Sequence, residues 1–339
     1  MNDNIFCGSL TRITDLVSQD FDCEPIPRDQ WEAGDYVVGG ITIPRGGISE
    51  IELTSGRLIR AVNGDLVLGA LGIRHATLEV VGSYEAIGHD GRMELLTAAG
   101  LLGRATSVSG MFPPLMRVDY RGHAIRGGKK LGMRDFAKRP ETQHGYSVPT
   151  VLIVGTSMSA GKTTSAKIII RQLKRAGFRV VGAKLTGAGR YRDILAMSDS
   201  GADAIFDFVD VGLPSSVLDP EQYRKRLRDL LGLIAEAKPD VVVAEAGASP
   251  LEPYNGEAVL DELGEAVSFT VLCASDPYAV IGVMRGYGII PDLVAGLATS
   301  TSAGVELVEK LSGARALNLL DPGSIPELHG MLTKALSTS

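Results

Sequence analysis

The residues with the clearest chemical potential form a glycine-rich stretch that ends in a lysine and two threonines. Gly155 to Thr164 reads Gly-Thr-Ser-Met-Ser-Ala-Gly-Lys-Thr-Thr, between an apolar run at 148–154 and an amphipathic stretch at 165–173. This order of strand, glycine loop and helix is the context of a phosphate-binding loop. Backbone N–H groups and the positive end of the helix dipole can surround a polyphosphate, and Lys162 adds a full positive charge. Thr163 is then the expected Mg²⁺ ligand, through its hydroxyl.

The spacing within this loop differs from the commonest phosphate-loop pattern. Five residues separate Gly155 from Gly161, whereas the usual pattern has about four. We interpret the loop as a subtype of phosphate-binding loop. The alternative is a glycine-rich turn that binds no ligand, and Gly-Lys-Thr-Thr at a helix start disfavours it. The residues expected to line the nucleotide site are Gly155, Thr156, Ser157, Met158, Ser159, Ala160, Gly161, Lys162, Thr163 and Thr164.

Two later strands of the predicted fold end in charged residues. Lys184 lies near the end of the second strand after the loop begins, among glycines that let the backbone approach a ligand. It can bind an anionic substrate or offset charge during phosphoryl transfer, or it is simply a surface lysine. Glu245 ends an apolar strand, and an acid in that place beside a phosphate loop reaches Mg²⁺ directly or through water.

A series of aspartates follows the second strand. Mg²⁺ at phosphate sites takes one or two carboxylates, so we expect one of these aspartates to be functional. Helix caps and turns explain most such residues. The candidates, among which the sequence does not decide, are Asp193, Asp199, Asp203, Asp207 and Asp210.

The elements that must position these residues divide the chain near residue 145. Residues 1–120 carry short strands between glycine turns and predict a small β-rich barrel or sandwich, with one short helix around Met93 to Leu102. Residues 121–147 form a basic linker, either solvated or a positive lip beside an anionic ligand. Residues 148–339 alternate strands and helices, which predicts a mostly parallel α/β sheet with helices on both faces and ligands at the carboxyl ends of its strands.

Composition indicates an ordinary globular chain and excludes some classes. A length of 339 residues suggests two domains, and a net charge of -6 argues against general nucleic-acid binding. Cys7, Cys23 and Cys273 have no metal-type spacing and indicate reduced thiols. The polar residues 1–4 do not resemble a signal peptide, and no apolar run reaches the roughly 18 residues of a membrane span. We therefore expect a cytoplasmic protein outside the membrane.

Taken together, these motifs resemble those of dethiobiotin synthetase and its wider group of P-loop proteins, the SIMIBI group. That group includes cobyrinate amidating synthetases and metal-enzyme maturation GTPases. The similarity covers about residues 148 to 320. The matching motifs are Gly155-Thr156, Gly161-Lys162-Thr163, Lys184, Ser198-Asp199 and Glu245-Ala246-Gly247-Ala248.

The resemblance implies roles for individual residues. In dethiobiotin synthetase the loop binds ATP, the lysine after the second strand contacts substrate and γ-phosphate, and an aspartate and a glutamate hold Mg²⁺. Catalytic roles would then fall on Lys162, Lys184 and Glu245, and Mg²⁺ would be held by Thr163, Asp199 and Glu245. A homodimer is a further expectation from the resemblance.

The chain also departs from that family. Dethiobiotin synthetase is shorter and lacks the β-rich region, its loop carries acidic residues where this chain has Ser157 to Ser159, and Ala188-Gly189 replaces a serine-glycine pair. A second resemblance, carried by Leu185-Thr186-Gly187 and Glu252-Pro253-Tyr254, is to an uncharacterised P-loop family that includes a D-glutamate N-acetyltransferase. That family's N-terminal domain is expected to be Rossmann-like, unlike the strand pattern here.

The leading hypothesis is an ATP- and Mg²⁺-dependent ligase or synthetase that activates a carboxyl or carbamate group of an anionic small molecule. The alternatives are a nucleotide switch resembling a maturation GTPase or metallochaperone, and an N-acyltransferase-type P-loop protein. No Asn-Lys-x-Asp stretch or Cys/His cluster supports the switch, although GTP is not excluded. A third possibility makes the β-rich region the working part, with His75 and Arg104 as its candidate residues and His89 as a turn residue.

Overall fold

The computed structural model describes residues 5–142 and 145–337, and the chain forms two compact units. Unit 1 consists of Met1–Lys138, Ala188–Arg192 and Phe208–Val217. Unit 2 consists of Arg139–Gly187, Asp193–Asp207 and Leu218–Ser339. The predicted boundaries at residues 120 and 147 differ from this division, because the β-rich unit extends further and includes two later segments. The polar residues 1–4 of the sequence analysis lie outside the described residues.

Unit 1 is built from short strands. They are β1 Ile5–Cys7, β2 Asp22–Glu24, β3 Tyr36–Thr42, β4 Glu50–Glu52, β5 Leu58–Arg60, β6 Leu66–Leu71, β7 Ile73–His75, β8 Val80–Ser83, β9 Arg92–Thr97, β10 Leu101–Val108, β11 Arg117–Arg126 and β12 Lys129–Lys130. Short 3₁₀ helices occupy Ser9–Thr11, Arg28–Gln30, Tyr84–Ala86 and Met133–Phe136. Because β11 continues to Arg126, the first part of the predicted linker is strand.

Five of these strands close into a barrel. β6 pairs with β3 on one side and with β10 on the other. β11 and β9 complete the ring between β3 and β10. The ring decides between the two predicted architectures in favour of a barrel, in which the paired strands leave no free edge.

Side chains that alternate along the strands fill the barrel interior. On β3, Val37 and Ile41 belong to the core, and Gly39 occupies the inward position between them. On β6 the corresponding inward glycine is Gly69, where a Cβ would lie 2.3 Å from the carbonyl oxygen of Gly100. The inward glycines therefore allow neighbouring segments of the barrel to approach closely.

The predicted helix around Met93 to Leu102 is wrong. These residues form β9 and β10, two antiparallel strands joined by a tight turn. Met93 and Leu95 are both in the core, which is the two-residue period of a strand. Gly100, with φ of +94°, supplies the left-handed turn conformation that a helix does not tolerate.

Unit 2 contains a six-stranded parallel sheet, and the chain after residue 148 alternates strands and helices. The strands are β13 Thr150–Gly155, β14 Val180–Thr186, β15 Ala204–Asp207, β16 Val241–Ala246, β17 Val267–Cys273 and β18 Leu293–Ala295. The helices are α1 Lys162–Arg175, α2 Tyr191–Ser198, α3 Pro220–Glu236, α4 Gly256–Leu263, α5 Pro277–Tyr287, α6 Ser302–Ser312 and α7 Ile325–Ser337. Short 3₁₀ helices occupy Gly264–Ala266, Leu297–Thr299 and Pro322–Ser324.

The strand order places one edge of this sheet where ligands commonly bind. The order is β15-β14-β16-β13-β17-β18, and every pairing is parallel. All residues of β13, β14 and β16 are buried, as expected for strands covered on both faces. The chain order reverses at β13, which has β16 on one side and β17 on the other. The crevice at the carboxyl ends of the strands at such a point is a general ligand site.

Polar side chains define where several helices begin. Asp219 and Asp276 accept hydrogen bonds from first-turn N–H groups of α3 and α5, and a proline follows each of them. Thr301 caps α6 in the same way. Across the described residues, no helix is both long enough and apolar enough to cross a bilayer.

The inward glycines of the barrel give a direct test of its packing. Gly69→Ala would place a Cβ 2.3 Å from the carbonyl oxygen of Gly100, and we expect it to lower the free energy of unfolding by about 2 to 3 kcal/mol. Gly110→Ala is the control, since a Cβ there meets nothing within 4 Å. Urea denaturation measures both variants. Equal midpoints for the two would contradict the close approach of β6 to this turn.

Candidate functional site

The glycine loop connects β13 to α1 and leaves the start of that helix uncapped. Gly161 ends the loop with φ of +102°, and a Cβ there would lie 3.1 Å from the Cα of Gly296. No side chain caps α1 in the described part of the chain, in contrast to α3, α5 and α6. The first N–H groups of α1 are therefore free of a competing side-chain acceptor, as an anion site at a helix N-terminus requires.

The side chain of Lys162 folds back over the beginning of the loop. Its Nζ donates a hydrogen bond to the carbonyl oxygen of Ser157 at 2.6 Å. A Cβ on Gly155 would lie 2.8 Å from the same Nζ, so a larger residue at that position would displace the lysine side chain. Burial lowers the pKa of Lys162, and the nearby carboxylate of Glu245 acts in the opposite direction. The ammonium group is thus held inside the loop, where an anion would interact with it strongly.

Neighbouring strands hold the loop in place. The N–H of Thr156 donates to the carbonyl oxygen of Cys273 at 3.0 Å, and the N–H of Ser275 donates to the Thr156 hydroxyl at 3.0 Å. After β18, Gly296 packs so tightly that a Cβ would lie 2.2 Å from the carbonyl oxygen of Ala160. These contacts preorganise the loop, so little rearrangement is needed when its N–H groups meet a ligand.

Thr163 and Glu245 meet as their sequence positions predict. The Thr163 hydroxyl donates a hydrogen bond to Oε2 of Glu245 at 3.2 Å. Hydroxyl and carboxylate oxygens are ligands that Mg²⁺ prefers. No group of three or more acidic, histidine or cysteine side chains that could hold a metal occurs among the described residues. The protein therefore offers Mg²⁺ two oxygens here, and water and phosphate oxygens would have to complete its coordination.

Lys184 lies in a row of buried charges at the carboxyl ends of three adjacent strands. The register pairs Lys184 of β14 with Glu245 of β16 and with Asp207 of β15. Lys184 also forms an ion pair with Asp193, in the first turn of α2. Burial alone would lower the pKa of Lys184, but Asp193 and Glu245 outweigh it and raise the pKa. This lysine is therefore charged, and it is not the surface residue of the alternative interpretation.

Backbone closely surrounds the side chain of Lys184. A Cβ on either Gly187 or Gly247 would lie 3.3 Å from its Cε. Gly187 has φ of +127°, and the Thr186 hydroxyl donates to the carbonyl oxygen of Gly247 at 2.9 Å. The glycines after the second strand thus let the backbone approach the Lys184 side chain closely, and their predicted approach to a ligand stays a prediction.

The five candidate aspartates separate into different environments. Asp193 and Asp207 lie beside Lys184. Asp203 pairs with Lys174 and accepts from the N–H of Val180, so it joins α1 to β14. Asp210 belongs to unit 1. Asp199 is exposed just after α2, and its role as a Mg²⁺ ligand stays a prediction.

Asp193 was one of the five candidate aspartates, but its pairing with Lys184 was not predicted, because no helix was predicted at α2. Ile194 and Met197 are the buried residues of this short helix, three positions apart. That spacing is the signal that could have indicated it. A helix that begins at Tyr191 would have placed Asp193 in its first turn, where a carboxylate is favoured.

The candidates in unit 1 do not form a comparable group. His75 is exposed on β7, and His89 is exposed in a turn. Arg104 lies 3.8 Å from Asp90, an exposed pair. Nothing in the placement of these residues indicates a catalytic centre.

The basic residues of the predicted linker are largely neutralised within unit 1. Lys130 pairs with Asp35 at 2.9 Å and with Glu32 at 3.1 Å. Arg134 pairs with Glu32 at 2.6 Å. The arrangement favours a structural role for these cations over the alternative of a positive lip beside an anionic ligand.

Comparison with known proteins gives weak similarities. No protein-family model matches the chain, and no curated protein matches it. HypB from Helicobacter pylori in complex with nickel aligns with a TM-score of 0.40 at 14% identity, over 57% of this chain and 89% of that one. The hydrogenase maturation factor HypB from Archaeoglobus fulgidus gives 0.38 at 19% identity, over 56% and 91%. A DUF1611 family protein from Anabaena variabilis gives 0.36 at 16% identity, over 63% and 66%. None of these three is a dethiobiotin synthetase, and function is inferred from the site alone.

The buried carboxyl of Glu245 predicts a pH effect on stability. Burial raises its pKa, and Lys184 and Lys162 offset only part of this effect. Since the folded state then holds the proton more tightly than the unfolded state, Glu245 lowers the free energy of unfolding as pH rises above about 4.5. Glu245→Gln removes this effect and should be more stable than the natural protein at about pH 8, with little difference at about pH 4.

Thermal unfolding of both proteins across this pH range, without nucleotide, measures the difference. Glu257→Gln, on exposed α4 surface, is the control and should follow the natural protein. A stability difference between Glu245→Gln and the natural protein that does not change with pH would show that ionisation of Glu245 is not disfavoured by the fold.

Proposed function

We propose that unit 2 binds a nucleoside triphosphate with Mg²⁺ at the loop Gly155–Thr164. The observation that carries the proposal is the grouping of Lys162, Thr163, Glu245 and Lys184 at the carboxyl ends of β13, β14 and β16. A helix N-terminus without a side-chain cap, a lysine inside the loop and paired hydroxyl and carboxylate oxygens are what a magnesium polyphosphate requires. In this proposal Thr163 and Glu245 hold the metal.

Lys184 is proposed to contact the γ-phosphate or the anionic group that receives it. It is charged, it is held by two aspartates, and the same electrostatic environment includes Lys162 and Glu245. A fixed cation beside a transferring phosphoryl group stabilises the developing charge. The proposed reaction is therefore ATP-dependent activation of a carboxyl or carbamate group on a small anionic substrate. ATP is the proposed nucleotide, and GTP is the alternative that a comparison of the two binding affinities would identify.

A nucleotide switch is the second candidate, and one feature of unit 2 supports it. Ala248 and Asn255 both have φ close to +60°, although neither is glycine, and they bracket the segment directly after Glu245 and β16. Backbone strain of this kind costs on the order of 1 to 3 kcal/mol per residue and occurs at switch segments. A nucleotide that contacts Glu245 through Mg²⁺ could relax this segment into a second conformation.

Two lysine variants test the ligase proposal. Lys162→Ala should weaken binding of Mg-ATP by about 10- to 100-fold, the effect of losing a charge-assisted hydrogen bond. Lys184→Met keeps most of the side-chain volume and should leave Mg-ADP binding unchanged while abolishing phosphate release that a substrate acid stimulates. Calorimetry measures binding, and a phosphate assay with a panel of small carboxylic acids and amino acids measures the reaction.

Matched controls are available on α1. Lys167→Ala removes a lysine of the same helix beyond the loop. Lys174→Met breaks the pair between Lys174 and Asp203, a lysine–aspartate pair of the same kind elsewhere in unit 2. Full nucleotide affinity in Lys162→Ala would reject the loop as the binding site. Binding without any acid-stimulated phosphate release in the natural protein would reject the ligase and leave the switch.

A further inference from the structure

Two short segments, 188–192 and 208–217, belong to unit 1 although in sequence they interrupt the sheet of unit 2. Asp193 follows the first segment directly, and Asp207 directly precedes the second. These aspartates are two of the three carboxylates that lie beside Lys184 in unit 2, the third being Glu245. The chain therefore passes between the units at the residues that hold this lysine.

Within unit 1, Glu52 holds the first of these segments. It lies at the end of β4 and is fully buried. Its carboxylate accepts hydrogen bonds from the N–H of Tyr191 at 2.6 Å and the N–H of Arg192 at 3.2 Å, as well as from the Ser9 hydroxyl. Tyr191 is the first residue of α2. A carboxylate from a distant strand thus satisfies the first N–H groups of this helix, in the way a capping side chain does.

Other contacts within unit 1 bind the two segments to one another. The guanidinium of Arg12 lies 4.7 Å from the ring centre of Tyr191 and pairs with Asp210 at 3.2 Å. The N–H of Gly189 donates to the carbonyl oxygen of Pro214 at 3.0 Å. The segments are therefore anchored together, and a change in the anchoring of one affects both.

We propose that Glu52 is a positioning residue for Lys184. By fixing the first turn of α2 it sets the place of Asp193, whose carboxylate holds the ammonium of Lys184. The barrel unit then contributes to the chemistry of unit 2 without supplying a catalytic group. The importance of Glu52 for the reaction rests on the proposed function, in which Lys184 contacts an anionic group. The effect of Glu52 on the position of Lys184 does not depend on that function.

Glu52→Gln tests the coupling with little change in volume. One oxygen remains as an acceptor, but the amide NH₂ cannot accept, so Tyr191 or Arg192 loses its partner. Reductive methylation of lysines with formaldehyde and cyanoborohydride, read by mass spectrometry, reports the access of each amine. We expect the methylation rate of Lys184 to rise about fivefold, the effect of losing one helix cap.

Controls separate this coupling from general loosening. Glu50→Gln alters an exposed glutamate of the same strand and should leave the rate at Lys184 unchanged. Lys162 is equally buried in unit 2, and its rate should not change in Glu52→Gln. Asp193→Asn breaks the ion pair itself and should give at least as large a rise at Lys184.

The methylation rates at Lys184 and Lys162 in Glu52→Gln decide whether the proposal stands. An unchanged rate at Lys184 in Glu52→Gln, or an equal rise at Lys162, would overturn the proposal. If Glu52→Gln does not fold, Ser9→Ala replaces it as the test, because it removes one hydrogen bond to the same carboxylate. We expect Ser9→Ala to give a smaller rise in methylation rate, confined to Lys184. If the rate at Lys184 does not rise in Ser9→Ala, the proposal is overturned. The methylation experiment uses no nucleotide, so failure of the natural protein to bind Mg-ATP would reject the proposed function without affecting this result.

Discussion

The site depends on the compensation of buried charges at one edge of a parallel sheet. Lys162, Lys184, Asp207 and Glu245 are all buried there, and an uncompensated buried ion costs several kcal/mol. Asp193 and Glu245 provide most of the compensation for Lys184, and strand register places Glu245 and Asp207 on either side of it. Apolar residues would stabilise such an edge better. Retention of opposed charges is typical of a place where an anion and a cation are to be bound.

The chain crosses between the two units next to residues that balance these charges. A third carboxylate, Asp193, lies next to this crossing, in the first turn of α2, and pairs with Lys184. Buried Glu52 and the cation of Arg12 hold that crossing point inside unit 1. In the proposal above, the buried carboxylate of Glu52 helps to position Asp193 beside Lys184.

The parts of the site that could be predicted from sequence have local signals. The loop stands between a strand and a helix, and Glu245 ends an apolar run, so neither needs knowledge of distant contacts. The choice among the aspartates depends on the direction of α2, a short helix whose first turn is fixed by Glu52 far away in sequence. The predicted helix near Met93 failed for a related reason, because cross-strand pairing in the barrel overrode the local apolar cluster. Hydrogen bonds between residues distant in sequence therefore determine both the strands near Met93 and the start of α2, which the local sequence pattern did not predict.

Hydrogen–deuterium exchange of the natural protein, with and without nucleotide, tests nucleotide binding at the loop most directly. If the uncapped amides of the loop and of α1 receive the phosphates, Mg-ATP or Mg-GTP at saturation slows exchange in the peptide that covers Gly155–Ala166, and chelation of Mg²⁺ weakens this protection. Protection confined to the barrel strands, or exchange in the loop that is the same with and without both nucleotides, would contradict a phosphate site at this edge of the sheet.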